Sequence, residues 1–547
     1  MKFFKKAISW LLFGMLALGC AACGEKKEPK EENADKVFAS SIQKNADGTE
    51  TFLVGGKPFL YLGAESRFEA YTNCDKAEYT NYEKYVKAAK ELGCNVLAVS
   101  VDWADIEIEK DVYDFDCINK ILGYGYKHGV KIDLLWYSAL MCGDSHEWHL
   151  PDYIFEETPR YEIYMNGVEQ PYIADSTNYG IQTLLRIDNA EFMKRETAVV
   201  EALMAHVYEW EEAREFPFVL VGVQVYNEVD AFPEKRLEQY SVSLGGEKIT
   251  KDQAWKTIRT AMNNCAKAFK SSPYQVVTRT NLLRPDCADL GASAGFSPIS
   301  RAVELAEMEY LDAVGYDPYL NDLNKLKQSI EYYQKNLPAN FTHIAENGRV
   351  GSKGEGEYMN GEGEILLSVS MNTGYILYEL CSPVKFDNEG YGQGVLDPAT
   401  LEDYSYTDKI RKMCKALQKV GAVAALVNPS EFAAFNIDSS TGKEIWNKTV
   451  NTSSVSFKFT TSTGAKGFAI VYGGYIYAYS QGAATLTLSN GTFSGVETGY
   501  LNATEWVKTG DGTLSDNVLS FDGESVYRIK IDSVSGALTS DTNLYKG

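Results

Sequence analysis

Two glutamates each close a short apolar run: Glu228 in Tyr226-Asn227-Glu228, after Val219–Tyr226, and Glu346 in Ala345-Glu346-Asn347, after Thr342–Ala345. Breaking a glycosidic bond requires two carboxyl groups flanking it. One is protonated and supplies the leaving oxygen, and the other is ionised and attacks or activates water. Glu228 and Glu346 fit these two roles, and Asn227 offers an amide to a sugar hydroxyl. Further polar or aromatic residues follow the other apolar runs: Glu65, Asp102-Trp103, Trp136-Tyr137, Asn281, Asp317-Pro-Tyr319 and Glu379. The plainer uses are local. Glu228 could cap a helix N-terminus, and Glu346 could pair with Arg349.

The elements that must position these residues are legible as a rhythm. Apolar runs of strand length occur at Phe59–Ala64, Asn95–Val101, Lys131–Trp136, Val219–Tyr226, Gln275–Thr280, Ala313–Tyr316, Thr342–Ala345 and Gly374–Leu380. Between or after them lie stretches with apolar residues at three- and four-residue steps: Tyr82–Leu92, Cys117–His128, Glu191–Glu212, Asp252–Lys270, Leu323–Asn336 and Tyr406–Val420. Eight strands alternating with helices predict a closed (β/α)8 TIM barrel, whose functional residues sit at the C-terminal strand ends. A doubly wound open sheet is the competing arrangement.

The long stretch from Trp136 to Val219 predicts an insertion in the third βα loop, carrying Trp148 and His149. His146 and His149 lack an obvious third ligand, so no metal is expected. Gly351–Glu364 reads as a mobile rim, and Gly390–Gly394 lacks the strand-turn-helix setting of a dinucleotide loop, so no cofactor is expected. Upstream, Gly55-Gly56 predicts a hairpin turn and a floor for the barrel. Beyond Val420, short alternating runs and the turns Asn490-Gly491, Asp511-Gly512 and Asp522-Gly523 predict a C-terminal β-sandwich.

With those residues placed, the chain resembles the retaining glycoside hydrolases of clan A, in which Asn-Glu at strand four carries the acid/base and a strand-seven Glu the nucleophile. Tyr226-Asn227-Glu228 and Ala345-Glu346-Asn347 match those positions. The N-terminal half is most similar to the β-galactosidase families 35 and 42, in Gly56-Lys-Pro-Phe, in Val101-Asp-Trp103 followed by Tyr113-Asp-Phe115, and in Leu150-Pro-Asp-Tyr. The resemblance spans about residues 50 to 420. It implies a β-glycosidase acting by double displacement, with Glu228 and Glu346 catalytic. Glu65, Asp102, Trp103, Trp136, Trp148, His149, Asn227, Tyr319 and Glu379 would then hold the sugar. Tyr378 and Glu379 depart from the Trp that many clan members carry after strand eight, and Asn227 leans toward family 42 or a family with no settled activity.

Charge and termini bound the partners. Fifty-three Lys and Arg against 75 Asp and Glu leave a net charge of −22, which opposes binding to nucleic acid and to anionic membrane surfaces. Lys2, Lys5 and Lys6 precede the uncharged run Ala7–Gly19, and Leu-Gly-Cys20 resembles the lipobox of bacterial lipoproteins. The expected organisation is a signal peptide at 1–19, a tether at 20–37 starting from lipidated Cys20, a catalytic barrel at 38–420 and a sandwich at 421–547. The protein would then be extracytoplasmic, anchored to the bacterial cell membrane by lipid alone, and would act on an oligosaccharide or polysaccharide. A non-catalytic surface glycan-binding lipoprotein is the alternative. The eight cysteines from Cys74 to Cys414 form no CxxC pair, and buried free thiols are expected over disulfides.

Overall fold

The computed structural model describes residues 36–66, 82–141, 145–146, 149–156, 182–183, 187, 189–229, 250–284, 298–320, 322–347, 360–381, 394–397, 400–437, 444–448, 455–462 and 464–534. From Val37 onward the chain forms one compact unit.

Eight parallel strands close into a barrel: β1 (Leu62–Ser66), β2 (Val96–Asp102), β3 (Lys131–Met141), β4 (Leu220–Asn227), β5 (Val277–Leu283), β6 (Ala313–Asp317), β7 (His343–Asn347) and β8 (Gly374–Leu377). Tyr375 of β8 pairs with Leu62 of β1 and completes the ring. The longer helices among the described residues are α1 (Tyr82–Leu92), α2 (Asp116–His128), α3 (Ala190–Glu212), α4 (Lys251–Phe269), α5 (Ile299–Ala306), α6 (Leu323–Asn336), α7 (Gly361–Ser370) and α8 (Thr407–Lys419). The open-sheet alternative is thereby excluded.

Strand side chains alternate between two environments. Val96, Ala98, Leu135, Tyr137, Val221, Val277, Ala313 and Ile376 meet inside the barrel. Leu97, Val99, Leu134, Trp136, Val223, Val225, Val314 and Leu377 pack outward among the helices. At two points the interior requires glycine. A Cβ on Gly222 would collide with the Asp133 carboxylate, and one on Gly315 with the His343 ring.

The floor is the three-stranded sheet Ser40–Lys44, Glu50–Val54 and Lys57–Pro58, turned at Gly55 (φ 55°) and Gly56 (φ 73°). Phe52 seals the interior against Tyr61 and Phe341. Ser40 ties the floor to two strands, donating to the Val221 carbonyl and accepting from the Val277 amide.

Helix α7 corrects the expectation of a mobile rim at the end of Gly351–Glu364, of which 351–359 lie outside the described residues. Gly361–Glu364 form its first turn, and all ten of its residues are buried. A helix buried on every side has no amphipathic stripe, so its sequence lacks the helical period that reveals the others. It is enclosed because a seven-stranded antiparallel sheet lies against the barrel. The order of that sheet is Glu444–Lys448, Phe432–Ile437, Lys466–Tyr472, Tyr475–Gln481, Tyr527–Val534, Gly491–Asn502 and Glu505–Asp511. Phe432, Phe468, Tyr477 and Tyr479 share a core with Met413 and Leu417 of α8. Lys466 reaches Glu362 of α7 at 2.9 Å, both buried. A second, four-stranded sheet (Ser456–Thr461, Ala484–Ser489, Val518–Ser520, Leu514–Ser515) covers the other face, with Ile476, Leu486, Leu519 and Ile529 between.

Cys94, Cys117, Cys265, Cys381 and Cys414 are buried free thiols. Cys74, Cys142 and Cys287 lie outside the described residues, as do the leader, Cys20 and most of Gly390–Gly394.

Candidate active site

The end of β4 is bent by an irregularity. Its register with β3 shifts between Val225 and Asn227, and Tyr226 (φ 60°) and Glu228 (φ 44°) both adopt left-handed backbone. Such a conformation costs a non-glycine residue about 1–3 kcal/mol and persists where its surroundings enforce it. Here the enforcing group is Glu196 of α3, buried behind the strand. It accepts from the Tyr226 hydroxyl at 2.7 Å, from Trp136 Nε1 at 3.3 Å and from the Ser138 hydroxyl. With Tyr226 held outward, Asn227 turns inward, and its Oδ1 accepts from Gln224 Nε2 and Asn281 Nδ2, each at 2.9 Å.

A second register shift serves Glu346. Strict alternation from His343, which stacks on Phe341 inside the barrel, would leave Glu346 facing the helices. The register breaks between Ile344 and Asn347. Asn347 turns outward and donates to Glu364 of α7 at 2.8 Å, while Glu346 enters the barrel mouth. The buried helix that the sequence conceals is therefore the anchor of this strand end.

Within the mouth, one carboxylate oxygen from each of Glu228, Asp317 and Glu346 lies within 4.8 Å of the other two. Asn281, fully buried on β5, is the hub. Its Nδ2 donates to Asp317 Oδ2 at 2.7 Å and to Glu346 Oε1 at 3.4 Å, and its Oδ1 accepts from the Glu228 backbone amide at 3.2 Å. The Tyr319 hydroxyl donates to Glu346 Oε2. Burial, followed by the charges of Glu346 and Glu228, pushes the Tyr319 hydroxyl well above its ordinary range, so it remains a donor. The same order of causes holds Asp317 well above the usual carboxylate range: burial, then Glu346, then Glu228.

Three converging carboxylates suggest a hard divalent cation, but the donors around them do not fit one. The Asn281 amide and Tyr319 hydroxyl point hydrogens at the oxygens a cation would need, and turning Asn281 over would break its bond from the Glu228 amide. The arrangement suits carboxyl chemistry governed by protons.

The other expected residues divide. Asp102 ends β2 and bonds His149 Nδ1 at 2.7 Å, with the imidazole edge-on to Tyr137 at 5.4 Å. Glu65 is buried near the end of β1, close enough for its charge to act on both Asp317 and Arg279, and Glu379 is buried just after β8. Trp103 and Trp136 require correction as sugar platforms. Trp103 is fully buried in a helical turn against Phe192, its Nε1 bonded to Glu107 at 2.7 Å. Trp136 occupies the outward phase of β3, edge-on to Phe269, so Tyr137 takes the inward position. Trp148 lies outside the described residues, and Arg349, the alternative partner of Glu346, does too. The residues that follow Val229, which a capping role for Glu228 would involve, lie outside the described residues up to Thr250, the cap of α4.

Asn281 and Asp317 were read as strand-end polar residues but given no role, and Gln224 was not singled out. Their signal was present, since each is a polar group at an inward phase of an apolar strand, where burial without a partner is costly.

Comparison with known proteins places this geometry among distant likenesses. Residues 257–442, from within α4 through the first sandwich strand, match a family described as a domain of unknown function (DUF4978). A search of curated proteins found no match. Among solved structures the chain is similar to a β-galactosidase from Rahnella sp. R3, with 13% identity, TM-score 0.46 and coverage of 67% of this chain and 57% of that one. It is similar to an exo-β-1,4-mannosidase from an Opitutaceae bacterium, strain TAV5 (10%, 0.45, 71% and 64%). It is also similar to an endo-1,4-β-mannanase from Rhizomucor miehei (11%, 0.43, 68% and 99%). The chain thus spans less than two thirds of the length of the first two.

Proposed function

We propose that the protein is a retaining β-glycosidase, with a β-galactoside as the first substrate to test. The observation that supports this most directly is the proximity of Glu228 and Glu346, whose carboxylate oxygens approach within 4.8 Å. Retaining enzymes hold their two carboxyl groups about 5–5.5 Å apart, whereas inverting enzymes leave about 6.5–9.5 Å for a water. Glu346, receiving hydrogen bonds from Tyr319 and Asn281, is favoured in its ionised form and attacks the anomeric carbon. Glu228 gives its proton to the departing oxygen as the glycosidic bond breaks. Water then enters, Glu228 removes its proton, and the glycosyl–Glu346 ester is cleaved with net retention. Asp102, His149, Asn227 and Glu379 would hold sugar hydroxyls.

Turnover of a panel of aryl β-galactosides, β-glucosides, β-mannosides and β-xylosides tests this reading, with the anomer of the first-formed product read by proton NMR. An inverted product would overturn the mechanism. Binding of oligosaccharide without turnover of any of them would favour a glycan-capturing protein instead. We also propose that Cys20 carries a lipid that holds the protein on the outer face of the bacterial membrane. Cys20→Ser should then move the protein from the detergent phase to the aqueous phase.

A further inference from the structure

Three carboxyl groups meet where the double-displacement reading uses two. They come from β4, β6 and β7 and approach within 4.8 Å. Like charges this close in a buried setting repel by more than a single pKa unit is worth. Full ionisation of the trio is therefore strongly opposed, and at least one member must keep a proton.

The surroundings decide which one. Glu346 receives two donors, Tyr319 and Asn281, both of which favour its charge. Glu228 is the least buried of the three. Asp317 is 1% exposed and takes one donor on Oδ2 from Asn281; its Oδ1 is buried without a hydrogen-bond partner, and its carboxyl lies against that of Glu228. The groups acting on it are Glu65 from β1, Glu228 from β4, Asn281 from β5 and Glu346 from β7, with Tyr319 two residues on; Arg284, just after β5, bonds the neighbouring Pro318 carbonyl at 3.4 Å. Arg279, the nearby guanidinium on β5, is already bonded to Asp133 and Gln224.

We propose that Asp317 is a positioning residue that stays protonated at neutral pH and donates its hydrogen to Glu228 whenever Glu228 is ionised. The proposal rests on the retaining reading for its catalytic consequence. When Glu228 passes its proton to the leaving oxygen, the new carboxylate finds a hydrogen-bond donor at Asp317 in place of a second negative charge. In the second step Glu228 recovers a proton from water, and the Asp317 proton never leaves the site. The burial and acidic neighbours described above raise the Asp317 pKa and agree with this assignment.

Two substitutions and two readouts test it. Asparagine keeps a neutral donor at this position, and leucine removes it. The kcat of Asp317→Leu on substrates with poor leaving groups should fall about tenfold or more below that of Asp317→Asn, as expected for one hydrogen bond to a charged group. The alkaline limb of kcat should stay within about half a pH unit between wild type and Asp317→Asn, and an acidward move of a unit or more would show an ionised Asp317 and overturn the proposal. Urea unfolding gives the answer independently of turnover. A carboxyl with a raised folded pKa contributes stability below its unfolded value of 3.8 that is lost as pH rises toward the folded value. Asp317→Asn should therefore raise the urea midpoint at neutral pH and lose that advantage below about pH 4. A lowered midpoint at neutral pH overturns the proposal. Absence of any glycosidase activity, with the midpoint raised as expected, would overturn the functional reading and leave the proton where it is assigned.

Discussion

The lower and upper halves of the barrel interior treat buried carboxylates in opposite ways. In the lower half, Asp133 meets an opposite charge: Arg279 Nε bonds its Oδ2 at 2.9 Å, the Tyr61 hydroxyl donates to the same oxygen, and Arg279 continues to Gln224, while Asp133 Oδ1 and Arg279 Nη2 are buried without a hydrogen-bond partner. The charge is compensated and the layer is structural. In the upper half, Glu228, Asp317 and Glu346 face one another, with Asn281 and Tyr319 as neutral donors. That layer retains mutual repulsion, which destabilises the fold and poises protons for chemistry. Since both layers are buried, burial alone does not separate scaffold from site. What separates them is whether each charge has met its opposite.

Four substitutions sharpen or break this contrast. The largest effect should be at Glu346. Glu346→Gly should lower kcat by a factor on the order of 10⁴ or more, as removal of a nucleophile acting within a unit does. Activity with an α-glycosyl fluoride donor should survive, and unfolding in urea should be no easier. Loss of stability without loss of turnover would place Glu346 in the scaffold.

Next is Arg279→Met, which leaves Asp133 buried and uncompensated. Breaking such a pair costs about 3–5 kcal/mol, readable as a lower urea midpoint at unchanged slope. An unchanged midpoint would mean that the lower layer is not held by this pair. Smaller again is Tyr319→Phe, which removes one hydrogen bond to the ionised Glu346. A drop in kcat of about 10- to 100-fold is expected, with stability altered by about 1 kcal/mol or less.

The smallest effect concerns His343 in the lower layer, whose pKa is lowered from 6.5 to about 3 by burial and then by Arg279. The folded protein holds this imidazole neutral while the unfolded chain protonates it. Its contribution to stability is therefore complete above pH 6.5 and lost as pH falls toward about 3. His343→Gln should flatten the pH dependence of the urea midpoint across that window. A slope as steep as wild type would assign the acid sensitivity elsewhere.

How much of this was legible depends on exposure. Helices with one wet face, such as α1 and α6, were read to the residue, because a stripe of apolar side chains repeats on the helical period. Helix α7 and the strand Phe432–Ile437 are buried on every side by the contact between barrel and sandwich, and neither carries a period to read. The long hairpin Gly491–Asn502 and Glu505–Asp511 escaped for the opposite reason, since much of it faces solvent and its alternation is weak. Trp136 shows the limit for sites. A strand end can be found from sequence, but a shift of one residue exchanges the inside and outside of the barrel.

By itself, the sequence determined the order of the elements, the closed eight-stranded class and the two strand-end glutamates. Those follow from apolar periodicity and from the few residue types able to do acid–base work. The tertiary structure decided which polar residues meet. Asp317 joined the pair because the barrel brings β4, β5, β6 and β7 to one mouth, and Glu346 turned inward because Asn347 is held by a helix 14 residues further on, itself enclosed by the sandwich. These are contacts between residues distant in the chain, and no local period encodes them.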